Sequence, residues 1–236
     1  MSVVQGITEW LPISSDGHLV VVGQILNIHN TLSFDIFLHL GSLAVILIFF
    51  RREIRDILKF QGPRRHWFWY IALASVVTAV IGFWFYDKMD DLRTPDIAAL
   101  GLFVTSAFLL ASRFFKEKNK PIAWQVALLL GLIQGLAVLP GLSRSGSVIS
   151  LALIFGLNRR DAFDFAFILA IPAIFGAFLL SLQDFEFNWL YLVGFFITII
   201  ISYLALGLLK KIINKNYFYL FFIYTFILAL VIKLVL

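Results

Sequence analysis

The chain contains no cysteine. Disulfides, thiolate nucleophiles and cysteine-ligated metal centres are excluded, and the redox compartment leaves no mark on the composition. Charge is also scarce. Asp, Glu, Lys and Arg make up 14% of the 236 residues, where a soluble domain carries about 25%. What fills the space is apolar: 61% of residues are hydrophobic and the mean hydropathy is +0.94. Several apolar stretches reach the roughly 20 residues needed to cross about 30 Å of hydrocarbon. The expectation is a multi-pass protein of the plasma (cytoplasmic) membrane, with residues 1–236 forming one membrane domain. The net charge of +5 is therefore no nucleic-acid signal; it fits loops facing an anionic leaflet. The first apolar stretch carries Glu9 and lacks a basic leader, so it does not read as a cleavable signal.

Ten helical segments are expected, at about 1–12, 18–27, 34–50, 67–86, 97–115, 122–139, 148–157, 162–182, 189–209 and 217–236. The first two are too short to span and flank a turn at Ile13–Gly17. The sixth and seventh flank a turn at Pro140–Ser147. Each pair reads as a re-entrant hairpin. Pro172 suggests a kink in the eighth segment. The fold class expected is an all-α integral membrane protein of two inverted-topology repeats, 1–116 and 121–236, each a hairpin plus three transmembrane helices. Loop charge agrees. The stretches 51–66, 113–120, 159–160 and 210–215 hold fifteen basic residues, whereas 87–96 and 182–188 are acidic with only Lys88 and Arg93. The positive-inside rule then places both termini outside. Trp67, Trp69, Trp84, Tyr86, Trp124, Trp189 and Tyr217 fall where interfacial belts are expected.

Two polar stretches interrupt the apolar pattern and resemble one another. Residues 5–18 read QGITEWLPISSDGH and residues 134–147 read QGLAVLPGLSRSGS. A charge at mid-bilayer costs on the order of 2.5–3.5 kcal/mol on insertion scales, so such residues point to chemistry or transport. Serine-rich turns that open a helix leave backbone N–H groups and a partial positive charge for an anion. Ser14, Ser15, Ser143, Ser145 and Ser147 add hydroxyls. Gly141 permits a tight turn, and Arg144 offers a planar fork for phosphate oxygens. Gln5 and Glu9 are four apart on one helix face, a carboxylate and an amide able to hold Mg²⁺ or Ca²⁺ with substrate phosphates. His18 can shuttle a proton or attack phosphorus. Ser15 is a candidate nucleophile if His18 or Glu9 takes its proton. Phosphoryl transfer is mostly positioning and charge stabilisation, which suits Arg144 and a metal.

At this point the chain resembles the undecaprenyl-diphosphatase (bacitracin-resistance) family. Gln5…Glu9 matches its (E/Q)xxxE motif, Pro12 to His18 its Pro-x-Ser-Ser-x-Gly-His run, and Pro140 to Ser145 the start of PGxSRSxxT. Asp16 departs from the usual Ser or Thr, and Val148 stands in place of the last Thr. The resemblance implies a metal-dependent enzyme, reached from outside, that converts a polyprenyl diphosphate lipid to its monophosphate for cell-wall synthesis. By match, Glu9, Ser15, His18 and Arg144 form its essential set. A transporter or flippase of isoprenoid lipid phosphates is the alternative, since broken helices at midplane also build carriers. The bilayer and the lipid are the expected partners, and a homodimer is among the allowed assemblies. His39 reads as a core residue, His29 and His66 as loop or interface residues, and Asp35 and Asp161 as helix-end charges. The Gly131–Gly135 spacing reads as close helix packing.

Overall fold

The computed structural model describes residues 1–26, 32–115, 117–181 and 189–235. The acidic loop 182–188, His29 and Lys116, and the side chains of Asp35 and Asp90, lie outside the described residues. Among the described residues all regular structure is helical. The elements are α1 (Ser2–Thr8), α2 (Ser15–Ile25), α3 (Leu32–Phe49), α4 (Arg51–Leu58), α5 (Trp67–Tyr86), α6 (Met89–Leu92), α7 (Pro95–Ser112), α8 (Trp124–Leu136), α9 (Arg144–Ile154), α10 (Arg159–Ser181), α11 (Trp189–Asn214) and α12 (Phe221–Val235). A 3-10 turn at Phe218–Leu220 leads into α12.

Helices α5, α7, α10, α11 and the 218–235 stretch are long and apolar enough to cross a membrane, making this a multi-pass membrane protein. The apolar part of α3, Phe37–Phe49, is shorter, as are α8 and α9. Helix α4 replaces part of the expected basic loop. It is amphipathic: Ile57 is buried and Ile54 partly so, while Arg51, Arg52 and Arg55 are exposed, so charge on one face hid an apolar stripe on the other. Trp67, expected at an interface, is buried. It packs edge-on to Phe165, with ring centroids 5.2 Å apart, and lies beneath the Arg64 guanidinium. Arg64 is held there by Asp161 and Asp164, each 2.7 Å away.

The short helices dock on the long ones through small residues. α8 lies along α5, and α1 along α11. A Cβ at Gly131 would strike the Ala74 backbone, and one at Gly135 would come within 2.8 Å of Ile81, so the Gly131–Gly135 pair does serve close helix packing. Hydroxyls fasten both contacts: Thr78 donates to Gly131 O at 3.0 Å and Ser202 to Gly6 O at 3.4 Å. α3 packs on α10 and α11, and α7 on α2, α9 and α12. Beneath the first loop, Trp10 meets Phe167 at 5.3 Å, and Phe167 meets Phe163 at 4.7 Å. Each such pair is worth about 0.5–1.5 kcal/mol beyond buried area.

The second loop is seated just as closely. Gly141 has φ +87°, and a Cβ there would collide with Ala98 O on α7. Gly62 has φ +70° but open space around it. Gly141→Ala should therefore cost roughly 3 kcal/mol or more through strain plus overlap, and Gly62→Ala only about 1 kcal/mol. Thermal unfolding of the detergent-solubilised variants checks this; equal losses would refute the seating described.

Candidate active site

The two loops are built alike. Ser14 caps α2 by accepting from Gly17 N at 3.2 Å, and Ser143 caps α9 by accepting from Gly146 N at 3.1 Å. Both helices are 11 residues long. They begin earlier than the sequence suggests, because the serines act as N-caps rather than as mere turn formers. Ser15 and Arg144 are thus the first residues of their helices, where the helix dipole favours an anion. Ser14 has φ +66°, unusual for a residue with a side chain and costing of order 1–3 kcal/mol. Thr105 of α7 pins the second loop, donating to Gly141 O at 2.9 Å and accepting from Ser143 N at 2.8 Å.

The loops meet. A Cβ at Gly17 would lie 3.1 Å from Gly141 Cα, and one at Gly146 would lie 3.2 Å from Pro12 Cβ. Across this seam Arg144 Nη2 donates to Glu9 Oε1. Glu9 ends α1, and its side chain is 2% exposed. Its other oxygen, Oε2, accepts from Gln5 Nε2 at 3.1 Å and from Ser15 Oγ at 2.6 Å. His39 Nε2 of α3 stands 3.2 Å from the same oxygen. One carboxylate therefore gathers a guanidinium, an amide, a hydroxyl and an imidazole.

Of the residues singled out in the sequence, Gln5, Glu9, Ser15 and Arg144 converge. Ser14 and Ser143 spend their hydroxyls on capping. Ser145 Oγ lies 3.4 Å from Leu11 O, across the seam. Ser147 Oγ is fully buried with no hydrogen-bond partner. Val148, where the resemblance expects Thr, is also buried. Asp16 sits in the first turn of α2, where a negative charge is favourable. His18 does not turn toward Glu9. Its Nδ1 lies 2.7 Å from Ser14 O and its Nε2 2.7 Å from Tyr224 Oη. A carbonyl only accepts, so Nδ1 carries the hydrogen and Nε2 the lone pair. Glu9, not His18, is therefore the group placed to take the Ser15 proton. His39, expected as a core residue, stands at the carboxylate; a titratable group inside an apolar helix is the signal that marks Glu9, and it applies equally here.

The described residues hold no group of three or more His, Cys, Asp or Glu able to bind a metal by themselves. The centre's charge is one carboxylate and one guanidinium, flanked by hydroxyls and by two helix N-termini. Such a site, inside a multi-pass helical membrane protein, offers an anionic group a guanidinium, hydroxyls and two helix N-termini. The chain belongs to the bacitracin resistance protein BacA family, whose model matches residues 1–231. It is similar to proteins named undecaprenyl-diphosphatase. One from Carboxydothermus hydrogenoformans is 39% identical over 98% of this chain and 94% of its own. Another, from Methanobrevibacter smithii, is 34% identical with the same coverage. A third, from Methanosphaera stadtmanae, is 35% identical over 91% of this chain and 88% of its own.

Removing one member of a buried ion pair leaves the other uncompensated, at about 3–5 kcal/mol. Arg144→Met should destabilise by that order, and adding Glu9→Gln should recover most of the loss. A double-mutant cycle on unfolding midpoints reads this; additive losses would show that the two groups do not act as a pair.

Proposed function

We propose that this protein hydrolyses undecaprenyl diphosphate to undecaprenyl monophosphate and inorganic phosphate, with Glu9, Ser15, His18 and Arg144 doing the chemistry. One observation carries the reading: a serine hydroxyl is bonded to a buried carboxylate that also holds an arginine, where two helix N-termini meet. A carrier needs the cation and the amides, but not a hydroxyl already bonded to a base.

The diphosphate enters between the loops, with its lipid tail lying among the apolar helices. Arg144 shifts from Glu9 to the terminal phosphate, exchanging one planar oxyanion for another. Ser15 Oγ attacks the terminal phosphorus while Glu9 accepts its proton. The bond from phosphorus to the bridging oxygen breaks, and the lipid monophosphate leaves with that oxygen. Water then attacks the phosphoserine and gives its proton to His18 Nε2, the nitrogen not committed to Ser14. Glu9 returns its proton to Ser15, which leaves as the free hydroxyl. The Ser145 hydroxyl and the Gly141 amide steady the phosphates.

A divalent cation, Mg²⁺ or Ca²⁺, fits this centre only as a companion of the diphosphate. Gln5 Oε1 is buried beside Glu9 without a hydrogen-bond partner, and Glu9 supplies a carboxylate oxygen. Phosphate oxygens would complete the shell, as hard cations accept. When bound, the cation neutralises charge on the phosphates.

We further read the fold as two inverted repeats, 1–116 and 121–236, each a re-entrant hairpin followed by three spans, with both termini outside. In support, one constant interval separates Gln5 from Gln134, Gly6 from Gly135, Ser14 from Ser143 and Gly17 from Gly146. The packing obeys the same correspondence: α1 on α11 answers α8 on α5, and α3 on α11 answers α10 on α5.

Phosphate release from a polyprenyl diphosphate in detergent tests the function. Wild type should release phosphate, more with added Mg²⁺ or Ca²⁺. Glu9→Gln, Ser15→Ala and Arg144→Ala should each fall by roughly 10²–10³. Rapid quench should trap phosphate on Ser15. Wild type that releases none while moving the lipid across liposomes would overturn the proposal in favour of carriage. A single inversion at phosphorus with no trapped intermediate would replace Ser15 by water.

A further inference from the structure

His18 is anchored at both ends of its ring. Nδ1–H is spent on the Ser14 carbonyl, so Nε2 is the only nitrogen left to meet water or phosphorus. That nitrogen lies 2.7 Å from the hydroxyl of Tyr224, 206 residues away on α12. The two rings are also stacked, with centroids 5.8 Å apart and planes 3° from parallel. α12 is held independently along α7 by extensive packing.

We propose that Tyr224 is a positioning residue for His18, holding the imidazole at the rotamer and height its Nε2 needs in the diphosphatase reaction. The proposal rests on the function assigned above. The chemistry suits the task. A tyrosine hydroxyl both donates and accepts, so it stays bonded to Nε2 whether that nitrogen is bare or protonated. A carbonyl or an ammonium would serve only one of the two states. Tyr224 is 46% exposed, so the pair is open from its side to the apolar surroundings in which a lipid substrate would lie.

α7 gives the arrangement its precision. Thr105 pins the loop that carries Arg144, and the next residue, Ser106, donates to Phe222 O of α12 at 3.2 Å. Adjacent residues of one helix thus set the height of the guanidinium loop and of the α12 segment bearing Tyr224. The tyrosine is thereby indexed to the same platform as the phosphate clamp.

The test uses the full chain in detergent with polyprenyl diphosphate. Tyr224→Phe keeps the ring stack and loses the hydroxyl. It should lower kcat roughly tenfold, the weight of one hydrogen bond, with KM within about twofold. Tyr224→Leu removes the stack as well and should fall further. In a His18→Ala background, Tyr224→Phe should have no additional effect, which a merely structural tyrosine would not reproduce. Histidine ¹⁵N spectra should move the His18 Nε2 signal of Tyr224→Phe toward the unbonded position. An active wild type, impaired by His18→Ala but unaffected by Tyr224→Phe, overturns this inference alone. So does a Tyr224→Phe loss that persists undiminished in the His18→Ala background. A wild type that releases no phosphate overturns the functional reading, and this inference falls with it.

Discussion

The arrangement depends on the contact between Glu9 and Arg144. Neither charge is tolerable alone among apolar helices, and each is supplied by a different loop. A buried ion pair contributes little net stability, because desolvation consumes most of the attraction. What it does impose is register: the loops must meet so that carboxylate and guanidinium touch. It also ties one loop to the other. In the proposed reaction a phosphate replaces the carboxylate on Arg144, so the cation passes from one anion to another without an unpaired interval.

The remaining architecture brings the two loops within reach of that contact. Five long helices supply the apolar body. Short α1 and α8 lie against it through glycine contacts, which let the backbones approach. α7 touches nearly every functional segment: α2, α9 and α12. Gly101 on this helix has no room for a Cβ, which would strike Pro140 O and Leu142 N. The aromatic group of Trp10, Phe163 and Phe167 fills the space beneath the first loop, so Glu9 is supported from below as well as bonded from the side.

Much of this was legible in the sequence, for identifiable reasons. The segment 67–86 coincides with α5 because basic residues and Asp87 bracket a continuous apolar run. Glu9, Ser15 and Arg144 stood out because polar groups in apolar surroundings are costly. α2 and α9 start a few residues before the sequence pattern places them, since a serine that ends a turn also caps a helix. α4 was hidden by its charge. His39 obeys the same rule that marks Glu9. Tyr224 could not have been found at all: an aromatic residue in an apolar helix is unremarkable until folding sets it against His18.

Ser15 and Arg144 occupy equivalent places, each directly after its capping serine. At that shared place one half keeps a hydroxyl and the other a guanidinium, and only the first half has an acid, Glu9, where the second has Val138. The two loops thus bring unlike groups to one seam. They are therefore not interchangeable: two copies of either loop would bring together groups of one kind and would not form the ion pair.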